Sequence, residues 1–294
     1  MTSVYKISIP ESKAEVWAKI ESENPTGTHK DRSMGPWIAH YIKQGQKEFV
    51  VSSSGNSAAA AAKVCAEKNV KLTIFMHPDD KSHRLDDIKE DSNILVRLSK
   101  TPKRDAFQFS EKHNIPNLRA STDDNALEGY KEIAFEIIEQ IPKINNIFIP
   151  TSSGATLEGI FLGFEEKSKK SPSLYAVQTT KVHPIAGDFD SDFKNENKSY
   201  ASAIVDNIAH RKDMLVEIIK ETKGGGLVIS NESLMKARNE LRKDQNIYDK
   251  LFTAVEGVEP SRWQSALAFA GFLKWQAQHP NKAKNEVSVC LFTD

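Results

Sequence analysis

Lys30 stands in the run Asn24-Pro25-Thr26-Gly27-Thr28-His29-Lys30-Asp31-Arg32, where a Pro and a Gly turn the chain just ahead of a helical pattern. A lysine at such a junction, desolvated and beside the partial positive charge of a helix start, can present a free amine, the nucleophile that forms Schiff bases with carbonyl compounds. Downstream, Phe49-Val50-Val51 runs into Ser52-Ser53-Ser54-Gly55-Asn56-Ser57 and then into five alanines, Ala58 to Ala62. That is a strand, a short polar loop and a helix start. Backbone N–H groups and the Ser54, Asn56 and Ser57 side chains would converge there on a spot suited to a carboxylate or a phosphate. A third stretch is built alike. Ile147-Phe148-Ile149 reads as a buried strand, Pro150-Thr151-Ser152-Ser153-Gly154-Ala155-Thr156 as a small-residue loop, and Gly159 to Phe164 as helix, again presenting N–H groups to an anion.

The elements that must hold these segments follow one rhythm. Val16 to Glu21 alternates as a strand, residues 32–44 carry apolar positions at helical spacing with Gly45 as a stop, and strand 48–52 leads to helix 58–68. Strand 71–76, a short helix at about 84–91, strand 94–98 and helix 102–113 continue the pattern. A helix opens at Glu128 and ends before Pro142, strands are expected at 174–178 and 227–229, and Asp188 to Lys198 reads as an exposed loop. Ser230 caps a helix to Leu241, a last helix covers about 261–278, and the final strand is Val287 to Phe292. Strands alternating with helices predict an α/β fold with parallel sheets flanked by helices. Gly224-Gly225-Gly226 enters a strand without a following helix and is expected to be a flexible turn. His29 is expected to pack or make a turn contact, and Trp17, Trp37, Trp263 and Trp275 to lie in the core or an interface.

Composition limits the alternatives. The chain has 294 residues, enough for one large or two medium domains. Its 40 basic and 40 acidic residues balance to zero, against nonspecific nucleic-acid binding. Cys65 and Cys290 are far apart and have no Cys or His at metal-ligand spacing, so neither a metal site nor a disulfide framework is expected. The first residues lack a signal peptide's apolar core, and no run approaches the roughly 20 apolar residues of a membrane span. The expectation is a soluble cytoplasmic protein.

The ordered pair Asn-Pro-Thr-Gly-Thr-His-Lys-Asp-Arg and Ser-Ser-Gly-Asn-Ser resembles the fold type II family of pyridoxal-phosphate enzymes. That family contains threonine synthase, threonine and serine dehydratases, cysteine synthase and the tryptophan synthase β chain. The resemblance implies pyridoxal 5'-phosphate as cofactor, Lys30 as the Schiff-base and catalytic lysine, and Asn56 at the 3′ oxygen of the ring. It places the cofactor phosphate on Ser152, Ser153, Gly154, Ala155 and Thr156, although relatives usually carry more glycines here. Thr293 would face the pyridine nitrogen, with Asp294 where synthases have Gly. The substrate carboxylate would fall to Ser54, Gly55, Asn56 and Ser57. The implied architecture is two domains, each a mostly parallel sheet flanked by helices, with the cofactor in the cleft between them. Residues 1–35 plus 144–294 would form the large, phosphate-binding domain and residues 36–143 the small, carboxylate-binding one. A homodimer acting on a small amino-acid substrate, with no nucleic-acid or membrane partner, is the accompanying expectation.

Within that family, Ser57-Ala58-Ala59 is close to the Thr-Ala-Ala of threonine synthases, and Glu128-Gly129-Tyr130-Lys131 onward resembles their Glu-Gly-Gln-Lys-Thr-x-Ala-x-Glu-Ile. Val258-Glu259-Pro260-Ser261 resembles the family's Glu-Pro-Ser stretch. These resemblances imply a threonine synthase-like carbon-oxygen lyase, turning O-phosphohomoserine into threonine and phosphate by γ-elimination and β-hydration. Such an enzyme binds two anions and needs cationic or N–H donors beyond the Ser54 to Ser57 loop; Lys131, and Arg84 or Arg32, are the candidate cations. Ser153 to Thr156 leans instead toward the Gly-x-Gly-Gly-Thr of cysteine synthases, which keeps a dehydratase or cysteine synthase-like β-elimination or β-replacement enzyme open. A non-catalytic relative that binds the cofactor or another ligand is the reading from a different class.

Overall fold

The computed structural model describes residues 1–9, 13–53, 55–79, 88, 92–167, 170–253 and 260–294. The helix expected near 84–91, apart from Ile88, and the Val258-Glu259 pair lie outside the described residues. By compactness the chain divides into two units, Met1–Glu23 with Lys131–Asp294, and Asn24–Tyr130. The chain begins in the larger unit with β1 (Val4–Lys6) and β2 (Glu15–Ile20).

The smaller unit follows with α1 (Lys30–Lys43), β3 (Glu48–Ser52), α2 (Asn56–Lys68), β4 (Lys71–Met76), β5 (Ile94–Leu98) and α3 (Pro102–His113). Its strands pair in the order β3-β4-β5, all parallel, among the described residues. Phe49, Val50 and Val51 are buried on β3, as are Leu72 and Ile74 on β4, which is why these runs read as continuous apolar stretches. The five consecutive alanines of α2, Ala58 to Ala62, are buried, and their small side chains let α2 lie close to its neighbours. Two 3-10 turns, Asp124–Ala126 and Glu128–Tyr130, close the unit.

The larger unit resumes with α4 (Lys131–Gln140), β6 (Asn146–Pro150), α5 (Ala155–Lys167), β7 (Ser173–Thr179), α6 (Lys212–Glu221), β8 (Gly225–Ile229) and α7 (Asn231–Leu241). It ends with α8 (Gln245–Leu251), α9 (Trp263–Gln278), α10 (Pro280–Ala283) and β9 (Val287–Phe292). Its sheet order is β1-β2-β9-β6-β7-β8, parallel except for the antiparallel β1–β2 pair. Helix α9 buries every residue from Ser265 to Phe272 and also Trp275, so it is a core helix rather than a one-faced one. Phe148, Phe269, Phe272, Trp275 and Phe292 are the aromatic centre of that core. Lys19 is fully buried on β2, where its Nζ donates to Glu136 Oε2 at 2.6 Å, the Thr2 carbonyl at 2.6 Å and Gln140 Oε1 at 2.9 Å.

The glycine run corrects an expectation. Gly224–Gly226 is no flexible turn: a Cβ on Gly224 would stand 1.9 Å from the Leu174 carbonyl oxygen and one on Gly226 2.4 Å from Ala186 Cα. The run is glycine because backbone packs against backbone there, and Gly225 and Gly226 already belong to β8.

Candidate functional site

Lys30 is the first residue of α1. The turn before it is closed by the residue after it: the Asp31 carboxylate accepts the Thr26 N–H at 2.7 Å and the Thr26 hydroxyl at 2.8 Å. Lys30 Nζ lies 3.3 Å from Tyr130 Oη and 5.6 Å from the centroid of the Tyr130 ring. The His29 ring stacks on Tyr130 at 5.8 Å, so His29 packs, as expected of it.

The face of α1 that carries Lys30 is held along its length by the returning segment 123–130. Ser33 Oγ donates to the Ala126 carbonyl at 2.7 Å, and Trp37 Nε1 and Tyr41 Oη each donate to Asp123 Oδ2 at 2.7 Å. Lys30, Ser33, Trp37 and Tyr41 are spaced by three and four residues, one face of a helix. Burial and the Asp123 carboxylate push the Tyr41 phenol up to about 12. Pro36 has no N–H to give the Arg32 carbonyl, and Gly129 packs against that same carbonyl, 1.8 Å from where a Cβ would be. Only glycine admits the approach.

Asn56 and Ser57 open α2, with Gly55 in the capping position at φ −124° and no side-chain cap. The Gly55 carbonyl receives the Ala58 and Ala59 N–H groups at 3.0 and 3.2 Å, while the N–H groups of Asn56 and Ser57 precede the first intrahelical acceptor. Gly55 N–H donates to Ser53 Oγ at 3.2 Å. Ser54 lies outside the described residues. These N–H groups stand at the carboxyl end of a parallel strand, the edge where open α/β sheets bind ligands.

In the larger unit, Thr151, Ser152, Ser153 and Gly154 link β6 to α5, and Ala155 and Thr156 are the helix's first two residues. Gly154 has φ 89°, and no other residue of the loop takes a positive φ. The scarcity of glycine therefore costs the loop no backbone strain. The Ser152 hydroxyl donates to Asp206 Oδ2 at 2.9 Å and accepts the Val205 and Asp206 N–H groups at 3.2 and 3.3 Å. Its proton is therefore committed to Asp206 rather than to an anion, which falls to the N–H groups at the start of α5 and the other hydroxyls of the loop. Strand β9 pairs with β6 from Asn146↔Ser288 to Phe148↔Cys290, and continuing that offset puts Thr293 level with Thr151. Thr293 and the Ser152–Thr156 loop thus emerge at one edge of the larger sheet. Both terminal residues are buried, and Asp294 is fastened by Ser265 N–H at 2.9 Å, Ser265 Oγ at 2.6 Å and Gln264 N–H at 3.1 Å.

Sequence reasoning gave no role to Tyr130 or Asp206. Tyr130 carried a signal, being the residue that departs from the synthase-like Glu-Gly-Gln-Lys pattern. Asp206 carried none. Among the expected cations, Lys131 Nζ pairs with Glu166 at 3.3 Å, near the end of α5 remote from the loop. Arg32 is buried, and Arg84 lies outside the described residues. The described residues contain no group of three or more His, Cys, Asp or Glu able to hold a metal ion, and no helix long and apolar enough to cross a membrane.

Residues 2–294 match the family described as pyridoxal-phosphate dependent enzyme. Among curated relatives, a threonine synthase of a Bacillus species is 24% identical over 249 residues, 80% of this chain and 68% of that protein. The threonine synthase of Halalkalibacterium halodurans is 24% identical over 293 residues, 95% of this chain and 77% of that protein. Among solved structures, the O-acetylserine dependent cystathionine beta-synthase from Helicobacter pylori superposes with a TM-score of 0.79 at 18% identity, over 100% of this chain and 92% of that one. At that identity the likeness is one of fold.

Proposed function

Because the chain belongs to the pyridoxal-phosphate dependent enzyme family, with the fold type II architecture and pyridoxal phosphate as its cofactor, we propose that it is a threonine synthase-like lyase acting on an amino acid. The observation that carries this reading is Lys30 at the first position of α1, behind a turn closed by Asp31, in a chain that aligns with a threonine synthase over 95% of its length.

The residues present fit the cofactor. The one left-handed position of the loop is glycine, the N–H groups at the start of α5 suit its phosphate, and Thr293, at the same sheet edge, would meet the ring nitrogen with a neutral hydroxyl. When bound, pyridoxal phosphate supplies an electron sink for charge left at the substrate's α carbon. Lys30 would hold it covalently through Nζ and, once displaced by the substrate's amino group, would take the α proton onto that same nitrogen. Asn56 would orient the ring oxygen. Ser54, Gly55, Asn56 and Ser57 would hold the substrate carboxylate, the two N–H groups that open α2 carrying most of that contact.

The Lys131–Glu166 pair favours a second reading. A synthase must bind a distal phosphate as well as a carboxylate, and Lys131 is engaged elsewhere. A dehydratase or a cysteine synthase-like enzyme needs the carboxylate site alone.

Borohydride reduction of the yellow protein should fix a pyridoxyl group on Lys30, and O-phosphohomoserine should yield threonine and phosphate, with serine and threonine deaminated slowly at most. Lys30→Ala should abolish turnover, since loss of an acid/base group alone costs roughly 10²–10⁴-fold. Turnover of O-acetylserine or threonine without reaction on O-phosphohomoserine would move the assignment to the second reading, and a protein that takes up no cofactor would end both.

A further inference from the structure

Where the synthase-like pattern has Gln, this chain has Tyr130, and the side chain that meets it is Lys30. We infer that Tyr130 is a positioning residue for Lys30, setting the direction in which Nζ presents its lone pair; the inference rests on the proposed covalent role of Lys30. Tyr130 is fully buried, with Oη 3.3 Å from Nζ and the His29 ring stacked on its own. A buried ring packed against a neighbour is held in place by dense surroundings. Its backbone is no freer, because Gly129 sits against the Arg32 carbonyl two residues beyond Lys30. The contact is the last rung of the series that runs along α1 through Tyr41, Trp37 and Ser33, so Tyr130 is delivered to Lys30 by the whole returning segment.

A phenol oxygen can accept from Nζ and donate, so it holds Nζ whether that group is an ammonium or a free amine. In the bonding step, neutral Nζ attacks the cofactor's aldehyde carbon, a C=N bond forms, and both amine protons leave with the aldehyde oxygen as water. Accepting one N–H at Oη turns the lone pair away from the ring. Without the hydroxyl, Nζ keeps its place on the helix and loses its aim. Small misplacements of a reacting atom cost rate heavily, up to about 100-fold for roughly 1 Å.

The test compares wild type, Tyr130→Phe and Tyr130→Gln as full-length proteins stripped of cofactor and refilled. Pyridoxal phosphate capture is followed by growth of the yellow band and by borohydride trapping on Lys30, with pyridoxamine phosphate, which has no aldehyde, as the second probe. Tyr130→Phe should capture pyridoxal phosphate about 10–100-fold more slowly. It should bind pyridoxamine phosphate like wild type, and Tyr130→Gln should recover most of the rate. Capture by Tyr130→Phe at the wild-type rate overturns the inference alone, and so does a parallel loss of pyridoxamine phosphate affinity, which would mean a collapsed site. A wild type that captures no cofactor overturns the role of Lys30 and, with it, this one.

Discussion

At Gly154 two constraints meet, a φ of 89° and Leu215 Cδ1 standing 2.1 Å from where a Cβ would be. A left-handed backbone costs an L-residue roughly 1–2 kcal/mol, and an extra methyl in a packed site about 1–3 kcal/mol. Gly154→Ala should therefore lower stability to urea by about 2–5 kcal/mol and loosen cofactor retention in the same protein. A change below about 0.5 kcal/mol, the range of an ordinary surface substitution, would show that the loop repacks freely. The sequence marked this glycine as the last one in a loop expected to hold several, but not that it occupies the one position that needs it. Backbone angles follow from what packs above the loop, here Leu215 on α6, and no local pattern carries that information. The Ser152 hydroxyl was equally unreadable, because its acceptor lies at Asp206, 54 residues on.

Helix α9 shows the same gap at the next scale. Its first residues have no local cap: Arg262 precedes them at φ 49° with no side-chain hydrogen bond to the helix start. The cap comes from Asp294, whose carboxylate takes the Gln264 and Ser265 N–H groups. Asp294→Ala should cost about 0.5–2 kcal/mol in thermal or urea unfolding, the usual value of an N-terminal cap. Asp294→Asn should cost less, and an Ala variant as stable as wild type would show that the cap is idle. Long elements with strong periodicity were legible: α1, α2, α3 and the strands β3 to β7 fall within a few residues of expectation. β1 has three residues and α8 seven, too few for a period to register. Helix α6 carries Leu215, Ile218 and Ile219 at helical spacing, but it follows a polar loop and has no side-chain cap to announce its start.

The larger unit is assembled from two separated pieces of chain, and a buried charge joins them. Lys19, on the first piece, donates to Glu136 and Gln140 on the second. Lys19→Met should destabilise the protein by up to about 3–5 kcal/mol, because it strips the nearer of two cations from a largely buried carboxylate and leaves it the Met1 ammonium at 3.7 Å. Lys19→Met with Glu136→Leu should recover much of that loss in chemical denaturation; a double variant no better than the single one would assign the effect to packing instead. The sequence read β2 and the final strand correctly as strands, yet gave no hint that they are neighbours, since pairing across such a separation is settled by the whole sheet. That sheet has β9 between β2 and β6, inside it rather than at a rim. A ribosome makes β9 after every other strand of this sheet, so β2 and β6 emerge with a vacant lane between them and both flanking edges unpaired until synthesis has passed Phe292. A stalled or prematurely released nascent chain would carry two apolar strands with open hydrogen-bonding edges, the kind of template that pairs with other chains.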